Sequence, residues 1–374
     1  MNAKERLLAV YRNEQPDRVP VHPCFAYLLP MRRSGMPFNR FTGDFSKHVL
    51  DTYRHYGADA RVWLPIWGGN PAVRQESHAE DLPDGTQVIA WSAESKLGRL
   101  TGRTKTFPDA APGPLECPIK DLRRDLPILF EQLPAPEHFT SEHAPAVYEM
   151  IGCDGIAMWS PPAQFLGWLA SAREGGITQA VYDLVDDEGF LAGWFEQYLD
   201  WYLRVVEHVL GTAAPWIDVV MPNCGTISIN TMGLKLYRRW DMPFIRRQAE
   251  IVHRCRKPLH VHQHGHCLAI LDDLVDAGVN MICPFERPPG GDVASLAAVR
   301  RRFGRRIGIM GNVHTIDVLL RGTPGDVRRQ VRECIDDAAG GPFVLSTGDQ
   351  VADLTPDENI RAFCEAGREF GNKP

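Results

Sequence analysis

The 374-residue sequence predicts an α/β fold, a single (β/α)8 barrel with an N-terminal helix and a β-ribbon insertion around residues 86–107. Three observations point to it. From about residue 140 short apolar strands alternate with longer helical patterns, which implies parallel pairing through right-handed crossovers. The six strands of that region and two earlier ones bring the count to eight, enough to close a barrel. No Gly-x-Gly-x-x-Gly follows a strand, so an open doubly wound sheet lacks its main support. No repeat, low-complexity tract or linker divides the chain, and residues 1–374 read as one domain.

Taken in order, Leu7, Leu8, Val10 and Tyr11 make residues 3–13 an amphipathic helix that ends before Pro16. Val19-Pro20-Val21 leads into a first strand. Residues 45–57 form a helix closed by Gly57, and Ala60–Trp67 a second extended run. From Thr86 to Phe107, VIAW and RLTGRTKTF read as antiparallel ribbon outside the main fold, bounded by prolines 108, 112, 114 and 118. The later strands are Ile156–Trp159, Ile217–Met221, Leu259–His262, Met281–Pro284, Ile307–Met310 and Phe343–Ser346. Helical patterns occupy 187–209, 234–256, 267–277, 292–303, 324–338 and 356–370. Gly278 and Gly304 fit C-caps, and Thr323-Pro324 fits a capping residue with proline at the first helical position.

Composition narrows the partners. With 44% hydrophobic and 24% charged residues the chain is an ordinary globular one. Asp plus Glu number 47 against 41 Lys plus Arg, a net charge of -6, which does not favour nucleic acid. No run of 18 apolar residues is present to span a membrane. The N-terminal stretch lacks the apolar core of a signal peptide, so a cytoplasmic location is expected. Nine scattered cysteines without a C-x-x-C read as free thiols, most of them packed as small hydrophobes.

A barrel carries its chemistry at the carboxyl ends of its strands. Those ends are Trp159–Pro162, Asn223-Cys224-Gly225, His262–His266, Phe285-Glu286, Asn312–His314 and Thr347–Asp349. Residues 259–266 read L-H-V-H-Q-H-G-H, with histidines 260, 262, 264 and 266 at the period of a strand. An H-x-H pair at a strand end brings two imidazoles within reach of one ion, and imidazole suits zinc, iron, copper or nickel. Glu286, Asp317 and Asp349 are the carboxylates at matching places. Glu286 also has Arg287 beside it for an ion pair, Asp349 fits a loop or cap hydrogen bond, and Asp317 lies inside a helical pattern.

The chain resembles the uroporphyrinogen decarboxylase superfamily. KERLLAVYRNEQPDRVPV looks like that family's first helix and strand. PLHVHQHGH, DAGVNMICPFE, RRFGRRIGIMGNVHT, LLRGTPGDVRRQVRECI, GGPFVLSTGD and PDENIRAFCEAGREFG follow in its order and approximate spacing. The resemblance implies a TIM barrel. It leaves two chemistries, a cofactor-free porphyrinogen decarboxylase and a branch of zinc-dependent methyltransferases working with corrinoid proteins or thiol cofactors. The decarboxylase's N-terminal signature is absent, Met31-Arg32-Arg33-Ser34-Gly35 being a partial echo.

The methyltransferase branch holds zinc on an H-x-C pair and a later G-C. By that likeness the metal ligands here are His262, His264 in the first cysteine's place, and Asp349 after Gly348 in the second's. Two imidazoles and a carboxylate suit zinc, with iron or manganese as alternatives. Where relatives carry acids, this chain has Pro222-Asn223-Cys224-Gly225. Asn223 then serves to hydrogen-bond a neutral group, and Cys224 is a soft ligand or a lining residue. His314 suits a proton donor, or makes a loop hydrogen bond. Trp63, Trp67, Trp159 and Phe165 wall the pocket or fill the core, and Glu286 stands close to where related barrels hold an additional carboxylate ligand, which makes it a fourth candidate.

The expectation is therefore methyl transfer from a small methylated, methoxylated substrate to a corrinoid. A partner protein carries the corrinoid, because no Asp-x-His-x-x-Gly string occurs here. His314 and Asn223 would act in catalysis, with Cys224, Trp159, Trp67 and Glu286 around the substrate. A homodimer is expected by resemblance. The alternatives are a metal-dependent decarboxylase or lyase of a small organic acid, and a non-catalytic binding barrel.

Overall fold

The computed structural model describes residues 1–40, 45–222 and 228–372. Eight parallel strands form the centre: β1 Val21–His22, β2 Ala60–Trp63, β3 Gly155–Trp159, β4 Val219–Val220, β5 His260–His262, β6 Met281–Cys283, β7 Gly308–Val313 and β8 Phe343–Thr347. β2, β3 and β4 pair in that order, and β5, β6, β7, β8 and β1 pair in theirs. A parallel bridge between Val220 and Leu259 joins β4 to β5. The seam between β1 and β2 is held by Asp59, whose N–H donates to Val21 O at 2.8 Å. Its carboxylate accepts from Val21 N at 2.7 Å. The cycle of eight expected from the sequence is present.

Strand alternation sorts the core into two layers. Ile156, Met158, Val219, Met221, Met281, Cys283, Met310 and Val344 fill the barrel interior together with Leu7, Val10 and Tyr11 of the helix Ala3–Tyr11. That helix sits at the amino ends of the strands: Lys4 N donates to Cys153 O, just before β3, at 3.2 Å. The opposite residues of the same strands, Ala157, Val220, Ile282, Ile309 and Leu345 among them, face the surrounding helices.

Several boundaries differ from the sequence expectation. The insertion is a four-stranded antiparallel sheet, Arg74–Asp81, Gln87–Glu94, Arg99–Thr106 and Gly113–Glu116, so it begins well before Thr86. Every residue of Arg74–Asp81 is exposed, so RQESHAED has no apolar face to reveal a strand. The expected helix 234–256 is two helices, Ile229–Trp240 and Met242–Arg254, with Pro243 in the first turn of the second. Two helices, Phe165–Ala172 and Gly176–Asp186, precede the long helix Glu188–Ala213 and were not among the expected elements. Among the described residues no helix is long and apolar enough to cross a membrane.

Candidate metal centre

β5 ends at His262, and two residues later His264 stands beside it at the carboxyl rim. Their Nε2 atoms are 2.9 Å apart, with the rings nearly perpendicular at 88°. Asp349 arrives from the other side of the rim, just beyond β8, with Oδ1 3.9 Å from His264 Nε2. One ligand atom from each of the three lies within 4.8 Å of the others. The loop that carries Asp349 is pinned on both sides. Gly348 N donates to Val313 O at 2.7 Å, and Val351 N to Cys24 O at 2.9 Å. Thr347 Oγ1 accepts from Cys24 N at 3.1 Å and donates to Asp349 O.

The far ring nitrogens are occupied, which aims both Nε2 atoms at a common point. His262 Nδ1 lies 3.2 Å from Cys283 Sγ, and His264 Nδ1 lies 3.3 Å from Glu286 Oε1. Such outer partners fix the tautomer and orientation of a metal-binding imidazole. Glu286 also accepts from Gly265 N. Gly265 has φ +72°, and a Cβ there would meet Asn230 Oδ1 at 2.5 Å, the atom that accepts from His266 N. The turn after His264 therefore requires glycine.

Burial pushes the His262 imidazole down to about 3, with the neighbouring His264 and Arg61 charges adding to it. Burial opposes the charge on His264 too, but the Glu286 hydrogen bond and the Asp349 charge raise it above its ordinary value. Burial raises Asp349. Glu286 is held low by His264 and the Gly265 N–H against the effect of burial. A neutral imidazole, a second imidazole backed by a carboxylate and a third-side carboxylate make a donor set that fits zinc, iron or manganese.

A cavity of about 770 Å³ opens beneath this rim, lined by His262, His264 and Asp349 and walled by Phe25, Tyr27, Tyr53, Trp63, Met158 and Met221. Arg61 and His22 also line it. Arg61, buried in the barrel interior, reaches His260 Nδ1 at 3.1 Å and Tyr11 OH at 3.4 Å, which places it toward the amino end. His22 Nδ1 donates to Asp59 O at 3.0 Å, and its Nε2 meets Tyr53 OH at 3.3 Å.

The other expected site residues are distributed differently. Trp159 faces the helix layer and is 1% exposed, because alternation gives the inward position to Met158. Trp67 lies past β2 in a separate pairing with Phe139–Thr140 and is 56% exposed, leaving Trp63 as the tryptophan of the wall. Phe165 packs among Trp168, Phe195, Tyr198 and Trp240. Glu286 sits behind His264 and not in the main cavity, and Arg287 pairs with Glu333 at 2.9 Å. His314 lines an adjoining cavity of about 590 Å³, where its Nδ1 accepts from Asp317 N at 3.0 Å and caps the turn Thr315–Leu320. Asn223 and Cys224 lie outside the described residues. His260 is buried against Tyr11, their side chains 2.6 Å apart, and the exposed His266 enters only through its backbone.

Sequence reasoning missed Arg61, His22 and Tyr53. A signal existed for the first: Arg61 is the lone charge in the otherwise apolar run ARVWLPIW.

Comparison with known proteins agrees with this architecture. Residues 192–370 match the uroporphyrinogen decarboxylase (URO-D) family. A methylated-thiol–coenzyme M methyltransferase of Methanosarcina mazei is 28% identical over 142 residues, 38% of this chain and 35% of that protein. A uroporphyrinogen decarboxylase of Prochlorococcus marinus is 37% identical over 67 residues, 18% of each chain. The matched segments thus span about a third or less of these curated relatives. A solved methyltransferase structure from Methanosarcina mazei superposes with a TM-score of 0.68 at 20% identity, covering 99% of both chains, and shares the fold. The uroporphyrinogen decarboxylase likeness is thus carried by the C-terminal half of the chain, and the barrel around it is the fold shared with the solved methyltransferase.

Proposed function

We propose that this protein is a metal-dependent methyltransferase that moves a methyl group from a small methoxylated substrate to a corrinoid on a partner protein. The observation that carries the reading is the convergence of His262, His264 and Asp349 over a largely apolar cavity. The matches to methyltransferases support the reaction class. His262, His264 and Asp349 would hold the ion, which when bound supplies Lewis acidity at the leaving atom. The harder ligands in place of two thiolates favour an oxygen leaving atom over a sulfur one.

The chain's own residues prepare that step. Cys283 and Glu286 keep the two imidazoles aimed inward. Phe25, Trp63 and Met158 surround the substrate with apolar surface and exclude water from the methyl group. His314 is not assigned the proton, because its Nδ1 caps a turn and its Nε2 lies 3.6 Å from Asp317.

The test is anaerobic incubation of the purified protein with cob(I)alamin and methoxylated aromatic compounds. The reading expects methylcobalamin to form in proportion to the demethylated product. Release of carbon dioxide from a small acid with no corrinoid requirement would instead establish the lyase alternative.

A further inference from the structure

Among the described residues Arg61 is a cation without a counter-ion. It is 6% exposed, and among the described residues no carboxylate lies within ion-pair distance of it. Leaving a guanidinium buried and unpaired is costly, whereas a matching anion in the same place offsets that cost. Among the described residues the groups that bond it are neutral: Tyr11, His260, two methionine sulfurs and the Cys283 thiol.

The distribution of those contacts is uneven. Nη1 is used by Tyr11, His260 and Met310, at 3.4, 3.1 and 2.9 Å. Nη2 lies 3.8 Å from Met221 Sδ, the Cys283 thiol also bonds this guanidinium, and Nε has no hydrogen-bond partner. Nε and Nη2 form one side of the planar guanidinium, the two-pronged edge that matches both oxygens of a carboxylate. Arg61 and Met221 both line the cavity that the metal triad overhangs. Around them the walls are Phe25, Tyr53, Trp63 and Met158, which suit an apolar, ring-sized body.

We propose that Arg61 is the receptor for a substrate carboxylate, so that the cavity takes a small, ring-bearing organic acid with its anion on Arg61 and its far end toward His262, His264 and Asp349. This names the substrate class of the methyl-transfer site and rests on that reading for the methoxy group. The anion site rests on Arg61 alone.

Calorimetric titration with 4-methoxybenzoate and its neutral isostere 4-methoxybenzamide tests it, with no corrinoid present. The wild-type protein is expected to bind the acid about 10–100-fold more tightly than the amide, the span of one charge-assisted pair. Arg61→Met should abolish that gap. If Arg61→Met does not fold, Arg61→Lys keeps the charge and loses the fork, and the gap should shrink. His262→Ala, which breaks the metal triad, should keep it, so a failure of the methyl-transfer reading leaves this result standing. Equal or absent binding of acid and amide to the wild type overturns the inference. So does a gap that persists undiminished in the Arg61 variant or disappears in His262→Ala.

Discussion

Glu286 acts on the candidate ion through His264, by holding Nδ1 so that Nε2 faces inward. Glu286→Gln keeps the shape and removes the charge, and should weaken zinc affinity about 10–100-fold, read by competition with a chelator. Unchanged affinity would make Glu286 a bystander. The candidate ligands were legible in sequence as an H-x-H at a strand end and an acid after a buried strand, with Asp349 singled out from Glu286 and Asp317 by the resemblance to the methyltransferase branch. The partners that orient them were not, since Cys283 and Glu286 belong to the next strand and its loop. Trp67 was misplaced for a physical reason: the expected run Ala60–Trp67 contains Pro65, which cannot donate to a ladder, and β2 stops at Trp63. Arg61 was visible as a charge in an apolar run, but that no carboxylate among the described residues pairs with it shows only in the folded interior.

Helix ends were among the most readable elements, because capping chemistry lies within a few residues. Gly57 and Gly304 follow their helices with φ of 61° and 57°, and Thr323 caps Pro324–Asp337 through a reciprocal pair with Asp326. Thr323→Ala should destabilise the protein by about 1 kcal/mol in urea unfolding. The Thr323 hydroxyl and backbone N–H, with Arg329, hold Asp326 down to about 2. Its folded value lies below its unfolded one, so its contribution is full above the ordinary carboxylate range and fades as pH falls through about 2. The stability difference between Asp326→Asn and wild type, followed by acid titration, should shrink over that window. A constant difference would assign the effect to shape and not to charge. Elements without such signals escaped: the wholly polar strand Arg74–Asp81 offers no alternation, and the helix over 234–256 was carried across Pro243 by an uninterrupted apolar period.

At the scale of the whole molecule, one acid ties the barrel seam to the amino-terminal plug. Asp59 is 2% exposed and accepts from Arg6 Nη1 at 2.7 Å, Arg18 Nη1 at 3.1 Å and Val21 N at 2.7 Å. Removing it takes the ion pair from the half-buried Arg18, leaves the buried Arg6 with Asp17 alone and orphans Val21 N. Asp59→Ala should therefore cost about 3–5 kcal/mol, measured by denaturant unfolding, and a loss below about 1 kcal/mol would contradict its role. The same closure creates the candidate metal centre, because His262 and His264 come from β5 and Asp349 from β8, strands that β6 and β7 separate. The most direct test is elemental analysis of protein purified without chelator, alongside His262→Ala and Asp349→Ala. One equivalent of zinc, iron or manganese in the wild type and a sharp loss in both variants is the predicted result. Metal content that is the same in all three proteins would contradict the account.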